Sequence, residues 1–165
     1  MPSKSGTPSP NLQLSFQKLS QAANALNDSS ETLGKAVIHL DIALSKLNLG
    51  VTSWICFYNI REDDSSQYHS EEQLGYAKIE NKRGLSLRVV EFDDINNESH
   101  VESQWLFNDA PRDLRVKAID HVPTLIEALA EKTLDTAEVV TAKARTAVTL
   151  AEAISNAADQ GGRQW

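Results

Sequence analysis

The sequence lacks most of the residues and motifs that identify common classes of enzyme and metalloprotein. Its single cysteine, Cys56, excludes an intrachain disulfide and a zinc site built from cysteines. None of the usual phosphate-loop, dinucleotide-binding, serine-hydrolase or zinc-protease motifs occurs. No apolar run of about 18 residues exists and no apolar segment follows Met1, so neither a transmembrane helix nor a signal peptide is predicted. We therefore expect a cytoplasmic protein that binds no cofactor and no membrane and has no visible catalytic machinery.

The negative charge is concentrated in the middle third of the chain. Residues 51–110 carry five basic and twelve acidic side chains, whereas the two flanking thirds are close to neutral. A negative field repels phosphate backbones, so no nucleic-acid partner is expected. The same field favours a basic protein partner or a cation.

The first third has the apolar spacing of a helix that packs against another helix. From Leu12 to Leu47 the pattern alternates between spacings of four and three, which is a heptad seam. The segment 27–30 (NDSS) is typical of a helix stop, yet the seam keeps its phase across it. One long helix within 11–49 is therefore favoured over a helical hairpin. The residues of this seam that we expect to make contacts are Leu33, Val37, Leu40 and Leu44.

The middle third changes to the pattern of β-strands. Segments 51–60, 73–80 and 84–92 are rich in β-branched and aromatic residues, and a short turn containing Gly84 separates the last two. We expect a three-stranded antiparallel meander over 51–93, followed by a loop over 94–108. Both faces of this sheet are apolar, which suggests that a second layer or a second subunit covers the face opposite the helices. The candidate contact residues are Trp54 and Tyr58, which alternation places on one face, and Trp105.

The last third, residues 109–160, is helical again. Pro111 suits a first helical turn, and Pro123 predicts either a kink in one helix or the start of a second. A second seam with the same alternating spacing begins with Ile119, Pro123 and Ile126. Its later candidate contact residues are Ala137, Val140, Ala144 and Ala147. Because alanine buries little area, this seam needs a partner with larger side chains, which the first helix could supply.

These segments predict an α+β fold. We expect one domain over 11–160, in which two helical regions pack antiparallel beside a small β head, with flexible tails at 1–10 and 161–165. The competing arrangement is a compact one, with three or four helices packed on one face of the sheet.

The acidic stretch 61–72 (REDDSSQYHSEE) is the strongest local signal for a site. Consecutive strands of a meander return to the same edge, so this loop and the acidic loop 93–104 are expected to be neighbours. Together they could form a solvated surface, a docking surface for a basic partner, or a cation site. The spacing of a calcium-binding loop is absent. The candidate metal ligands are Asp63, Asp64, His69, Asp93, Asp94 and His100.

Three functions fit this sequence. The first is a non-catalytic interaction or scaffold protein that self-associates, as a dimer in the simplest case, through its helical seams or an apolar sheet face. The second is a small acidic chaperone or adaptor that binds a basic partner segment. The third is a cation-binding domain that uses the acidic loops 61–72 and 93–104.

Overall fold

The structure, a computed structural model, describes residues 10–61 and 67–161. It confirms the α+β class, with a long helix at each end of the described chain and an antiparallel sheet between them in sequence. The sheet has four strands rather than the expected three, in the order β1-β2-β3-β4. The helices and strands are α1 (Pro10–Lys46), β1 (Ser53–Arg61), β2 (Tyr68–Ile79), β3 (Lys82–Asp93), β4 (Glu98–Leu106), α2 (Arg112–Ala118) and α3 (Val122–Gly161).

The two expected tails fall almost entirely outside the described residues. Their described members, Pro10 and Gly161, both belong to helices. By its internal contacts the chain divides into two units between Ala43 and Leu44. Among the described helices, none is both long enough and apolar enough to cross a membrane.

α1 is one uninterrupted helix, so the segment 27–30 does not break it. The helix itself accommodates the polar side chains of this segment, as the hydroxyl of Ser30 shows by donating to the carbonyl of Leu26 at 2.8 Å. A bond to the carbonyl four residues earlier leaves the backbone ladder intact. The helix ends just before Asn48 and Gly50, whose φ angles of 46° and 68° are typical of helix stops.

β4 replaces the loop that was expected over 94–108. Only residues 94–97 form the connection, and β4 then pairs with β3 from Glu98 opposite Asp93 to Leu106 opposite Ser86. The loop prediction was wrong because most of this segment is polar, as an exposed edge strand can be. The apolar end of the segment, Trp105 and Leu106, belongs to the new strand.

The tight turn between β2 and β3 consists of Glu80 and Asn81, not of the glycine-containing segment that was expected. Gly84 is instead buried in β3 opposite Ala77. Glu80 has a φ of 52°. A residue with a side chain therefore occupies a region that glycine adopts without steric cost.

Both edge strands carry a β-bulge, at Phe57 in β1 and at Glu102 in β4. The bulge in β1 places Trp54 on one face of the sheet and Tyr58 on the other, so the expectation that they share a face was wrong. Strand alternation predicts faces correctly only while no extra residue is inserted. Bulges also twist an edge strand and so disfavour its pairing with another chain.

α2 and the first turns of α3 cover one face of the sheet, called here the helix-covered face. The buried strand residues on this face, each at most 2% exposed, are Leu74, Tyr76, Leu85 and Leu87. The buried helical residues are Leu114, Ala118, Val122, Leu125 and Leu129. These nine apolar side chains form the centre of the core.

The buried line of α2 and α3 runs one residue away from the predicted seam. The sequence pattern placed Ile119, Pro123 and Ile126 inward, whereas Pro123 and Ile126 are exposed and the buried positions each lie one residue earlier. Both lines have spacings of three and four and both lead to Thr133, so spacing alone could not separate them. Pro123 lies in the first turn of α3, where proline requires no kink.

The opposite face of the sheet is also buried at its centre. Ser86 is fully buried, and Ala77 and Val90 are at most 5% exposed. The ring of Trp54 lies over Gly75 so closely that an added Cβ would come within 2.3 Å of it. These residues are therefore not available to a second subunit, although the apolar character of both faces had suggested one.

Replacing Glu80 with glycine should stabilise the protein, because glycine adopts a positive φ without the contact between Cβ and carbonyl oxygen that strains other residues. We expect the free energy of unfolding in urea to rise by about 0.5–1 kcal/mol. The matched control is Lys78→Gly in the extended part of β2, which should lower it by a similar amount. Equal losses in both variants would contradict the turn conformation described here.

Candidate functional site

The helix-covered face continues beyond the helices into an open groove at one end of the sheet. The groove has a volume of about 590 Å³. It is lined by Ile60, Tyr68, His69, Ser70, Glu91, Phe92, Asp93, Glu98 and His100. Its titratable side chains on β3 and β4 are three carboxylates and one imidazole, which makes it a concave surface rich in acidic groups.

Strand register explains why these side chains come together. Paired residues of neighbouring antiparallel strands point to the same face. One row across all four strands consists of Ile60, Ser70, Glu91 and His100. The next row consists of Tyr68, Asp93 and Glu98. Sequence analysis missed most of these residues because it treated residues 61–72 and 93–104 as loops, although residues 68–72 and 98–104 belong to strands.

His100, a candidate metal ligand, has its ionic partner in the groove. Its Nε2 lies 3.0 Å from Glu91 Oε2. The His100 side chain is 70% exposed, so solvent screens this contact strongly. The pair leaves the groove open and accessible.

A second cluster, formed by Arg61, His69 and Asp94, joins the end of β1, the start of β2 and the turn after β3. Asp94 lies 2.8 Å from Arg61 Nη2 and 3.2 Å from His69 Nδ1. The imidazole stacks on Phe92, with ring centroids 4.8 Å apart. The backbone N–H of Asp94 also donates to Gln67 O at 2.9 Å. The described ends of the first acidic segment therefore lie beside the turn after β3, as expected.

Asp93 organises the turn between β3 and β4. Its carboxylate accepts hydrogen bonds from the backbone N–H groups of Ile95 and Asn96 and from the side-chain amide of Asn96, the last at 2.7 Å. The Asn96 amide makes the largest contribution to holding the pKa of Asp93 below its ordinary value. Asn97 completes the turn with a φ of 53°.

The candidate metal ligands do not converge in the part of the chain that the structure describes. His69 and Asp94 are adjacent, but the guanidinium of Arg61 occupies the same cluster and would repel a cation. Within residues 10–61 and 67–161, no three His, Cys, Asp or Glu side chains are grouped so that they could hold a metal ion. Asp63 and Asp64 lie outside the described residues.

Lys117 connects α2 to the sheet at the boundary between core and groove. Its Nζ lies 3.1 Å from both carboxylate oxygens of Glu72 and 4.8 Å from the ring centroid of Tyr58. Glu72 is buried, whereas the lysine remains partly exposed. Tyr58, a predicted contact residue, is therefore held by a cation of its own chain.

The two tryptophans that were expected to make contacts are used within the sheet. The guanidinium of Arg88 lies 4.0 Å from the ring centroid of Trp54, and partial burial lowers the pKa of Arg88. Arg88 Nε also donates to Gln73 Oε1 at 2.8 Å. Trp105 is half-buried in β4 opposite Leu87.

Cys56 lies in β1, and its residue surface is exposed. Partial desolvation, followed by the negative charge of Glu71, raises the pKa of its thiol. A raised pKa lowers the thiolate fraction, so this environment does not activate Cys56 as a nucleophile.

α3 carries one continuous apolar face that is buried at first and then exposed. Val122, Leu125 and Leu129 are buried, and Thr133 and Thr136 are half-buried. Every residue from 137 to 159 is exposed. The continuation, called here the exposed α3 face, consists of Ala137, Val140, Ala144, Ala147, Val148, Leu150, Ala151, Ile154 and Ala158.

The larger side chains of the exposed α3 face remain in water in this chain. Val140, Val148, Leu150 and Ile154 are 57–61% exposed. Sequence analysis named four members of the face as contact residues and placed Ala151, Ile154 and Ala158 on the same seam, but it missed Val148 and Leu150. At about 100° per residue these two lie within about 80° of Val140 in helical projection. A helical projection of the flanking positions, rather than of the seam alone, could have found them.

The apolar seam of α1 also changes its exposure along the helix, but in the opposite order, from exposed to buried. Of its predicted contact residues, Val37 and Leu44 are buried, Leu33 is half-buried and Leu40 is just exposed. The earlier seam residues are much more exposed, at 52–69%: Leu12, Phe16, Leu19 and Leu26. The apolar seam of α1 is therefore buried only in its later turns.

Comparison of the chain with protein-family models, with curated proteins and with solved structures gives no match.

Replacing Asp93 with asparagine should remove a pH-dependent part of stability. The pKa of Asp93 in the folded protein lies below the ordinary value of 3.8. The charged carboxylate therefore contributes stability above that value, and the contribution is lost as the pH falls through the lower folded-state pKa. In urea denaturation, Asp93→Asn should be less stable than the wild type at neutral pH, and the difference should shrink as the pH falls through the folded-state pKa of Asp93.

The control is Asp135→Asn on α3, which makes the same change in net charge far from the turn in sequence. A wild-type advantage over Asp93→Asn that stays constant down to low pH would contradict the role of the Asp93 charge. An equal effect of Asp135→Asn would assign the effect to net charge instead.

Proposed function

We propose that this protein is a non-catalytic interaction or scaffold protein that self-associates through the apolar faces of its helices. The observation that carries the proposal is the continuous apolar face of α3. Over Val122, Leu125 and Leu129 this face packs in the core, and from Ala137 onward the same face is exposed. A helix that is apolar along one side normally buries that side.

The energetics favour a partner for this half of α3. Complete burial of a valine, leucine or isoleucine side chain contributes about 1.5–3 kcal/mol. Four such side chains on the exposed α3 face are more than half exposed, so a partner that covers them gains on the order of 1 kcal/mol or more from each. Most helical stability in proteins comes from such packing rather than from helix propensity.

α1 supports the same function independently. Its seam is exposed at Leu12, Phe16 and Leu19, whereas Val37 and Leu44 on the same seam are buried. Scattered exposed apolar residues are ordinary, but a periodic row of large ones on a helix marks an interaction surface. Exposed apolar rows on two helices support self-association more strongly than one isolated apolar patch would.

The acidic groove favours a second function, that of an adaptor for a basic partner segment. Glu91, Asp93 and Glu98 line a concave surface whose apolar residues include Ile60 and Phe92. A complex held mainly by these charges should weaken as salt rises, because the Debye length falls to about 10 Å at 0.1 M ionic strength. The cation-binding function has less support, since the described residues group no three metal-ligating side chains.

The proposed function predicts a concentration-dependent oligomer, a dimer in the simplest case. Size-exclusion chromatography with light scattering should give a mass above the 18.2 kDa of one chain at high concentration. Ile154→Glu should return the protein to a monomer, because it places a charge in the apolar contact. Thr149→Glu adds the same charge on the other side of α3 and should leave the oligomer intact.

Circular dichroism of both variants separates loss of association from loss of folding. A wild-type mass of one chain at every concentration tested would contradict the proposal. Capture of a basic peptide by that monomer, abolished by salt, would support the adaptor function instead.

A further inference from the structure

The exposed α3 face has a reciprocal pattern of large and small side chains. In heptad notation, Ala144, Ala151 and Ala158 occupy the a positions, and Val140, Ala147 and Ile154 occupy the d positions. Every a position on this part of the helix is therefore alanine, and both aliphatic side chains larger than alanine in the seam are at d. Such a pattern packs differently in a parallel and in an antiparallel pair of helices.

We propose that the exposed α3 face binds the same face of a second copy of this chain, with the two helices antiparallel. This inference rests on the proposed self-association and specifies its partner surface and direction. In an antiparallel pair, each a position packs in a layer with a d position of the other helix. Ile154 of one copy then packs on Ala144 of the other, and Val140 packs on Ala158.

The outer layers have similar thickness, because in each of them a large side chain meets an alanine. The middle layer pairs Ala147 with Ala151 and would be thin on its own. Val148 and Leu150 flank the seam on its two sides at this height and can close over the middle layer from both copies. The antiparallel pair therefore covers all four of the larger side chains of the exposed α3 face.

A parallel pair in register uses the same residues less well. It would place Ile154 on Ile154 and Val140 on Val140, with layers of alanine on alanine between them, so thick and thin layers would alternate. The antiparallel pair instead gives each of these large side chains an alanine to pack on.

The size of the contact sets the expected strength. Residues 137–158 span roughly 33 Å along a helix about 10–12 Å wide. Two copies would therefore bury on the order of 800 Å² in total, which is below the size of most stable complexes. The dimer should form at high protein concentration and dissociate on dilution.

Cysteine cross-linking in the full-length chain distinguishes the two directions. In a Cys56→Ser background, a tagged Ala158→Cys chain is mixed with an untagged Val140→Cys chain and oxidised. The antiparallel pair should give the mixed disulfide at least about tenfold above a Thr149→Cys control, whereas Ala158→Cys alone should give almost none. In a parallel pair, positions 140 and 158 would be about 27 Å apart and could not be bridged.

Light scattering of the Cys56→Ser parent separates this inference from the proposed function. A dimer with the mixed disulfide supports both. A dimer in which Ala158→Cys links to itself overturns the antiparallel direction and leaves self-association supported. A dimer that persists in Ile154→Glu overturns the exposed α3 face as the contact surface and also leaves self-association supported. A parent that stays monomeric at every concentration overturns both.

Discussion

The packing of the first turns of α3 on the sheet is the constraint on which the rest of this half of the molecule depends. Leu125 and Leu129 are at most 2% exposed, and they fix the rotation of the helix about its own axis. Because an α-helix turns by about 100° per residue, that rotation also fixes the direction of every later side chain. Val140 and Ile154 project within about 60° of Leu125 and within about 20° of Leu129. The direction of the exposed α3 face is therefore set by the core.

The sequence was sufficient to predict the elements that depend on local pattern. The heptad spacing of α1, the β-branched strands and the helix that begins near Pro123 are all local features, and they are confirmed. Three features could not be predicted, because they depend on contacts between distant residues. Ile126 and Leu125 are both apolar, so only packing decides which is buried. The bulge at Phe57 and the pairing of β4 with β3 likewise depend on the neighbouring strand.

Charge density alone gave a misleading picture of the candidate site, because strand register decides which charges are paired. Glu72 is neutralised by Lys117 in the core, and Asp94 by Arg61 at the sheet end. Asp93 is committed to hydrogen bonds within a turn. The acidic residues that remain toward the groove are few, and strand alternation brings them together rather than a ligand-binding loop. That arrangement suits a broad contact with a basic partner better than it suits a cation.

The alanines of the exposed α3 face favour helix formation while exposing little apolar area to water in the unpartnered chain. Alanine has the highest helix propensity of the common residues. The helix can therefore form before it meets a partner, which lowers the entropy lost on association. A leucine seam of equal length would expose much more apolar area to water. Val140, Val148, Leu150 and Ile154 are thus the side chains from which a partner gains burial energy, while the alanines between them permit close approach.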